Sequence, residues 1–90
     1  MRLAKVIGNV VATQKENSLT GLTLLVIEEI DPRTKTTKDC LVCVDTLGAG
    51  VGDIVLWVRG GAARFVSDID RYAPVDAAIV GIVDSVDVNA

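Results

Sequence analysis

Residues 22–30 read Leu-Thr-Leu-Leu-Val-Ile-Glu-Glu-Ile, and this stretch decides the fold. It is a short run of Val, Ile and Leu, and its apolar residues occupy consecutive positions. Because side chains alternate between the two faces of a strand, such a run places apolar groups on both faces. The run ends at Asp31-Pro32, which begins a charged loop through Lys38 with the composition of a hairpin connection. We therefore expect a strand here that needs cover on both faces.

Four further runs of the same kind lie along the chain, with turn residues between them. The runs are Arg2–Ala12, Cys40–Thr46, Asp53–Arg59 and Ala77–Val83, the last continuing weakly to Val88. In the first run Ala4, Val6, Val10 and Ala12 are predicted to share one face. Residues 13–18 and 67–73 are predicted loops, and residues 60–66, which contain Ala-Ala-Arg, favour one short helix. This pattern predicts an all-β fold, a small five-stranded, partly closed barrel of the oligonucleotide-binding (OB) kind.

Length and composition indicate one domain that does not act alone. The chain has 90 residues, which we interpret as a single domain spanning residues 1–90, and 50% of them are hydrophobic. A chain this short buries only about 60–65% of its unfolded surface when it folds by itself. The chain has at most one short helix to pack against strands that are apolar on both faces. Neighbouring subunits are the remaining candidates to bury the other faces. We therefore expect a homo-oligomer.

The charge balance disfavours nucleic-acid binding and catalysis. Nine basic and twelve acidic residues give a net charge of -3, and the chain has one Trp, one Tyr and one Phe. Nucleic-acid modules usually show a basic excess and aromatic side chains for stacking. With no histidine, the usual general base and metal ligand are missing. No run approaches a membrane span, and the N-terminus lacks the pattern of a secretory signal. We expect no nucleic-acid or membrane partner, no cofactor and no catalytic residue.

The cysteines Cys40 and Cys43 form a pair with metal-like spacing, yet no second pair or histidine completes a site. Both lie in a predicted strand, where positions three apart point to opposite faces. We therefore predict two reduced, mostly buried thiols of a cytosolic protein that neither bind metal nor bridge each other.

Other candidate sites have simpler interpretations. The segment Gly48–Asp53 has the glycines of a phosphate loop, but a predicted strand follows it where a helix would be needed. Its glycines instead suit a turn or a close subunit contact. Trp57 is predicted to be a core or interface anchor. The five aspartates that could be read as a cluster are interpreted as solvated, except that Asp76 suits a buried cap or an inter-subunit hydrogen bond. They are Asp68, Asp70, Asp76, Asp84 and Asp87.

Two segments resemble a known family closely. They are Val44-Asp-Thr-Leu-Gly-Ala-Gly50 and Pro74-Val-Asp-Ala-Ala-Ile-Val-Gly-Ile-Val-Asp84, and shorter matches cover residues 1–8, 11–13, 24–26, 53–56 and 60–64. In this order they resemble the EutN/CcmL family, the small vertex proteins of bacterial microcompartments. One departure is Gly60-Gly61, where many members have Gly-Ser, so any contact of that serine hydroxyl does not carry over.

The resemblance implies a cyclic homopentamer at the five-fold corners of a microcompartment shell, in the bacterial cytoplasm, beside hexameric shell proteins. Carboxysome and catabolic metabolosome vertices look alike at this level, and we favour the metabolosome. Small residues that permit close backbone approach, together with the matched motifs, give the candidates for the subunit interface or five-fold axis. They are Asp45, Thr46, Gly48, Ala49, Gly50, Arg64 and Asp76. The alternatives are an OB module that binds nucleic acid or a ligand, and a small enzyme.

Overall fold

Five strands make up the described chain, as the sequence predicts. The computed structural model describes residues 1–13, 15, 17–19, 21–34, 37–65 and 75–88. The strands are β1 (Arg2–Val10), β2 (Thr23–Ile30), β3 (Thr37–Asp45), β4 (Ile54–Arg59) and β5 (Ala77–Val83). The third strand begins three residues earlier than predicted and so takes up the end of the charged loop. The predicted acidic loop at 67–73 lies outside the described residues.

The strands close into a barrel in the order β1-β2-β3-β5-β4. Sequential neighbours pair as antiparallel strands from β1 to β3, and β4 closes the barrel by pairing with both β1 and β5. The link between β3 and β5 differs from the others because it is parallel and consists of a single residue pair, Val44 with Ala78. The all-β barrel is therefore confirmed, and its weakest seam lies between β3 and β5.

Two 3-10 helices accompany the strands, where the sequence predicts one. Residues Gly60–Phe65 form the predicted helix, which begins directly after β4. The backbone N–H of Gly60 donates to the carbonyl of Asp76 at 2.7 Å and thereby ties this helix to the start of β5. A second single turn, Asn17–Leu19, lies in the segment predicted as a polar loop.

A bulge in β1 corrects the predicted face of Val10. The register of β1 against β2 shifts between Val6 and Gly8, so Val10 lies opposite Leu24. Residues directly opposite each other on neighbouring strands share a face, and Leu24 packs in the outer apolar cluster. Since one extra residue reverses the alternation, Val10 lies on the other face from Ala4 and Val6, and Ala12 lies beyond the strand.

Two apolar clusters lie on the two sides of the sheet. The inner cluster fills the barrel and comprises Ala4, Val6, Leu25, Ile27, Cys43, Val55, Trp57, Ala77 and Ile79. The outer cluster comprises Val44, Ala63, Val75 and Ala78, with Leu19, Leu22, Leu24 and Val58 packed against it. The chain thus covers part of its outer face with its own short helices and the segment before β5. The expectation that only neighbouring subunits could supply this cover is wrong for this part of the surface.

Candidate functional site

The turn after β3 is organised around the buried carboxylate of Asp45. This side chain is 4% exposed and accepts hydrogen bonds from three successive backbone N–H groups. Leu47 donates to Oδ1 at 2.9 Å, whereas Gly48 and Ala49 donate to Oδ2 at 3.1 and 2.8 Å. A buried carboxylate is stable only when such donors replace water. The chain can turn this tightly because Gly48 adopts a φ of 88°, which L side chains disfavour.

A second carboxylate holds the other half of the same loop. Asp53 Oδ2 accepts from the N–H of Gly50 at 2.8 Å, and the Asp53 N–H donates to the Gly50 carbonyl at 3.0 Å. The N–H of Gly52, whose φ is 98°, donates to the Val6 carbonyl at 2.9 Å and anchors the loop to β1. The loop from 46 to 53 is therefore fixed at both ends by the chain itself.

These bonds decide between the two interpretations of the glycine-rich segment. A phosphate-binding loop needs free backbone N–H groups that converge on the anion. Here the N–H groups of residues 47–50 donate to the chain's own carboxylates. The side chains of Leu47 and Val51, by contrast, are 50% and 63% exposed on this rigid loop. The geometry suits the presentation of apolar side chains to another protein surface.

The remaining interface candidates differ in their placement. Thr46 is half-buried and Ala49 packs against the inner cluster, whereas Gly48 and Gly50 are exposed. Four of the seven candidates therefore lie in the loop 46–53, and Asp45, at the end of β3, holds that loop in place.

Asp76 lies apart from that loop, and its side chain is exposed, so the buried cap is wrong. It is the Asp76 backbone carbonyl that receives a bond, from Gly60. An inter-subunit hydrogen bond of its carboxylate stays a prediction. Arg64 lies in the Gly60–Phe65 helix, and its side chain is outside the described residues.

The two cysteines occupy different environments. Cys43 is buried in the barrel, whereas Cys40 is exposed, so the opposite faces are confirmed and the burial of Cys40 is corrected. Burial, followed by the charges of Asp45 and Asp76, raises the pKa of the Cys43 thiol to about 12. Partial desolvation and the neighbouring Glu28 also raise the pKa of the Cys40 thiol. Neither thiol therefore has the depressed pKa of a nucleophilic cysteine.

Trp57 is a core residue, which confirms the prediction that it anchors the interior. Its ring is completely buried, and the Arg59 guanidinium lies 5.3 Å from the ring centre. The indole Nε1 is buried and has no hydrogen-bond partner among the described residues. A buried ring cannot serve as a stacking platform for a nucleic-acid base.

The aspartates near the C-terminal end of the described chain are exposed. Asp84 and Asp87 are exposed, as predicted for solvated acids, whereas Asp68 and Asp70 lie outside the described residues. Within the described ranges, no three Cys, Asp or Glu side chains converge on a point that could hold a metal ion. Over the same ranges, no helix is both long and apolar enough to cross a membrane.

Two features of the site were missed at the level of sequence. Asp53 acts as a second loop anchor because its carboxylate lies close to the Gly50 N–H in space. In the sequence, the only indication of this role is that Asp53 stands at the start of a strand run. A recess beside the β3–β5 seam also has no local signal, because its walls come from segments far apart in sequence. Leu24, Val44 and Ala77 all contribute to it.

Together, the closed barrel, the carboxylate-fixed loop and the exposed apolar side chains define a structural assembly module. Comparison with known proteins gives the family. Residues 1–84 match the model described as "Ethanolamine utilisation protein EutN/carboxysome". The chain belongs to this EutN/CcmL family, whose curated members are named as shell vertex proteins. It is therefore a structural protein and not an enzyme.

Similar proteins come from more than one type of microcompartment. The chain is 46% identical to the carboxysome shell vertex protein CcmL of Synechococcus elongatus, over 99% of this chain and 89% of that protein. It is 45% identical to the microcompartment shell vertex protein GrpN of Rhodospirillum rubrum, over 97% of both chains. The solved structure of GrpN, described as a pentameric shell protein, superposes with a TM-score of 0.87 at 43% identity and covers 99% of this chain and 100% of that one.

Proposed function

We propose that five copies of this chain form a ring that occupies the five-fold vertices of a polyhedral microcompartment shell. The observation that carries the proposal is the set of exposed apolar side chains on the loop after β3 and along the end of the chain from β5 onward. Leu47 and Val51 lie on the fixed loop, and Ile82, Val86 and Val88 lie at the C-terminal end. Both groups are exposed in the single subunit, and a cyclic ring, which joins two different surfaces of successive subunits, would bury such side chains.

The mechanism is geometric. Hexagonal tiles alone extend as a flat sheet, and a closed polyhedron needs five-fold units where facets meet. A pentamer of this chain would supply the missing corner and contact hexameric shell proteins at its rim, within the bacterial cytoplasm. The fixed loop at 46–53 supports this role, because a preorganised contact loses little conformational entropy on assembly. Whether the shell is that of a metabolosome, as we favour, or of a carboxysome stays a prediction.

Native mass spectrometry of the purified chain tests the ring. We expect a species of five times the 9.5 kDa subunit mass. A stable monomer or dimer at micromolar concentration would refute the pentamer.

Deletion in the host tests the vertex. We expect elongated or open compartments in electron micrographs, with the enclosed enzymes still active in lysate. Normal closed polyhedra, in a strain that expresses no second vertex protein, would contradict the vertex role.

A further inference from the structure

Among the described strands, the seam between β3 and β5 leaves part of one edge of β3 without a partner. On one side β3 pairs with β2 from Thr37 to Asp45. On its other side the register contains only Val44 with Ala78, so among the described strands nothing pairs with β3 between residues 37 and 43 on that side. Unpaired edges present free N–H and C=O groups and are sites of strand addition unless they are covered.

An apolar recess lies beside this edge. It has a volume of about 180 Å³ and is lined mainly by Leu24, Val42, Cys43, Val44, Val75 and Ala77. That volume is comparable with the roughly 150 Å³ of an engineered cavity that binds a benzene molecule. Val42 is 48% exposed at its mouth. The edge therefore combines main-chain groups that pair with none of the described strands and a pocket for apolar side chains.

The C-terminal segment 84–88 has the complementary character. It reads Asp-Ser-Val-Asp-Val and follows β5 directly. Val86 and Val88 are 47% and 42% exposed, and residues two apart lie on the same side of an extended chain. None of the backbone hydrogen bonds found outside the regular elements of the described chain involves this segment. It is thus an apolar, unpaired stretch with the alternation of a strand.

The segment cannot reach the Val42 end of the recess in its own subunit. Because β5 runs parallel to β3 from Ala78, it moves away from the free edge. The five steps from Ala78 to Val83 advance about 17 Å at 3.3 Å per residue. Val42 lies two residues behind Val44, so the end of β5 is about 23 Å from the recess mouth. Residues 84–88 span at most ~18 Å, even when they double back completely. Only another copy can bring this segment to that end of the recess.

We propose that segment 84–88 of one copy docks along the free edge of β3 in the next copy, with Val86 and Val88 facing the recess. This inference rests on the proposed ring and names the contact that closes it. Strand addition supplies main-chain hydrogen bonds, and the recess selects apolar residues at alternate positions. Asp87 then points away from the recess, towards water. Since segment and edge are different surfaces of one subunit, the contact repeats in one direction around a ring.

Cross-linking between engineered thiols tests the contact directly. A Val42→Cys/Val86→Cys variant is made in a Cys40→Ser background, because Cys40 is exposed. A short thiol cross-linker should give a ladder of covalent oligomers up to five subunits in denaturing gels. The control pair Val11→Cys/Val86→Cys should remain monomeric. Absence of a ladder beyond the control, or a cross-link confined to single chains, would overturn the docking.

Native mass spectrometry separates failure of the docking from failure of the ring. We expect Val86→Asp/Val88→Asp to lose the pentamer at concentrations at which the Val11→Asp control retains it. Pentamers of the double variant at the wild-type fraction would overturn the docking while leaving the pentamer intact. If the wild-type protein is not pentameric, the proposed function is refuted. A cross-linked ladder from that same protein would still support the docking.

Discussion

Replacing Asp45 by Asn tests whether the buried carboxylate holds the loop that we assign to assembly. The substitution keeps the shape of the side chain, but one acceptor oxygen becomes an NH₂ donor. Whichever way the amide is turned, Leu47 or the pair Gly48 and Ala49 loses its acceptor. Hydrogen bonds to charged groups contribute about 1.5–3 kcal/mol each, so we expect a loss of about 2–4 kcal/mol in the free energy of unfolding. In a chain of this size that lowers Tm by roughly 10 °C or more.

Thermal unfolding at one fixed protein concentration measures this loss, because the stability of an oligomer depends on concentration. Amide hydrogen exchange gives the local readout, and we expect faster exchange at residues 47–49 of the variant. Asp84→Asn is the matched control, since Asp84 is exposed, and its effect should stay within about 0.5 kcal/mol. An Asp45→Asn protein with the Tm of this control and unchanged exchange at 47–49 would refute the reasoning.

Four further predictions concern the loop glycines and the thiols. Gly48→Ala should lower the free energy of unfolding by about 1 kcal/mol, because Gly48 has a positive φ, and thermal melting measures this loss. At Gly50 an added Cβ meets nothing closer than 3.9 Å within the subunit. Gly50→Ala should therefore weaken only assembly, as measured by native mass spectrometry. Iodoacetamide at pH 8 should label Cys40 long before Cys43, as peptide mass spectrometry would show. Folding raises the pKa of the Cys43 thiol from 9.0 to about 12. The stability that this thiol contributes is therefore complete below pH 9 and is lost as the pH rises towards 12. Denaturant titrations should show this loss in the wild type and not in Cys43→Ala.

The following outcomes would refute the predictions for the glycines and for thiol labelling. Equal thermal stability of Gly48→Ala and wild type would contradict the strained turn. Undiminished pentamer formation by Gly50→Ala would contradict a close subunit contact at that glycine. Labelling of both cysteines at the same rate in the folded protein would contradict the burial of Cys43.

The sequence alone determined those features that depend on the local alternation of side chains. The runs of Val, Ile and Leu located five strands, and the three-residue spacing placed Cys40 and Cys43 on opposite faces. The family was also recognisable, because the segments 44–50 and 74–84 are specific in their order. The glycine-rich segment after the third strand was also recognised as a turn, since Gly48 and Gly50 permit tight backbone geometry.

Only the tertiary structure decided how the strands meet and what each carboxylate does. The bulge at residue 7 reverses the face of Val10, and bulges form through pairing with a partner strand that local alternation does not reveal. Asp45 and Asp76 look alike in sequence, yet one accepts three backbone N–H bonds in the interior and the other faces solvent. The single contact of β3 with β5 likewise depends on residues more than thirty positions apart. Partner choice between distant segments is set by packing of the whole barrel, so no local pattern contains it.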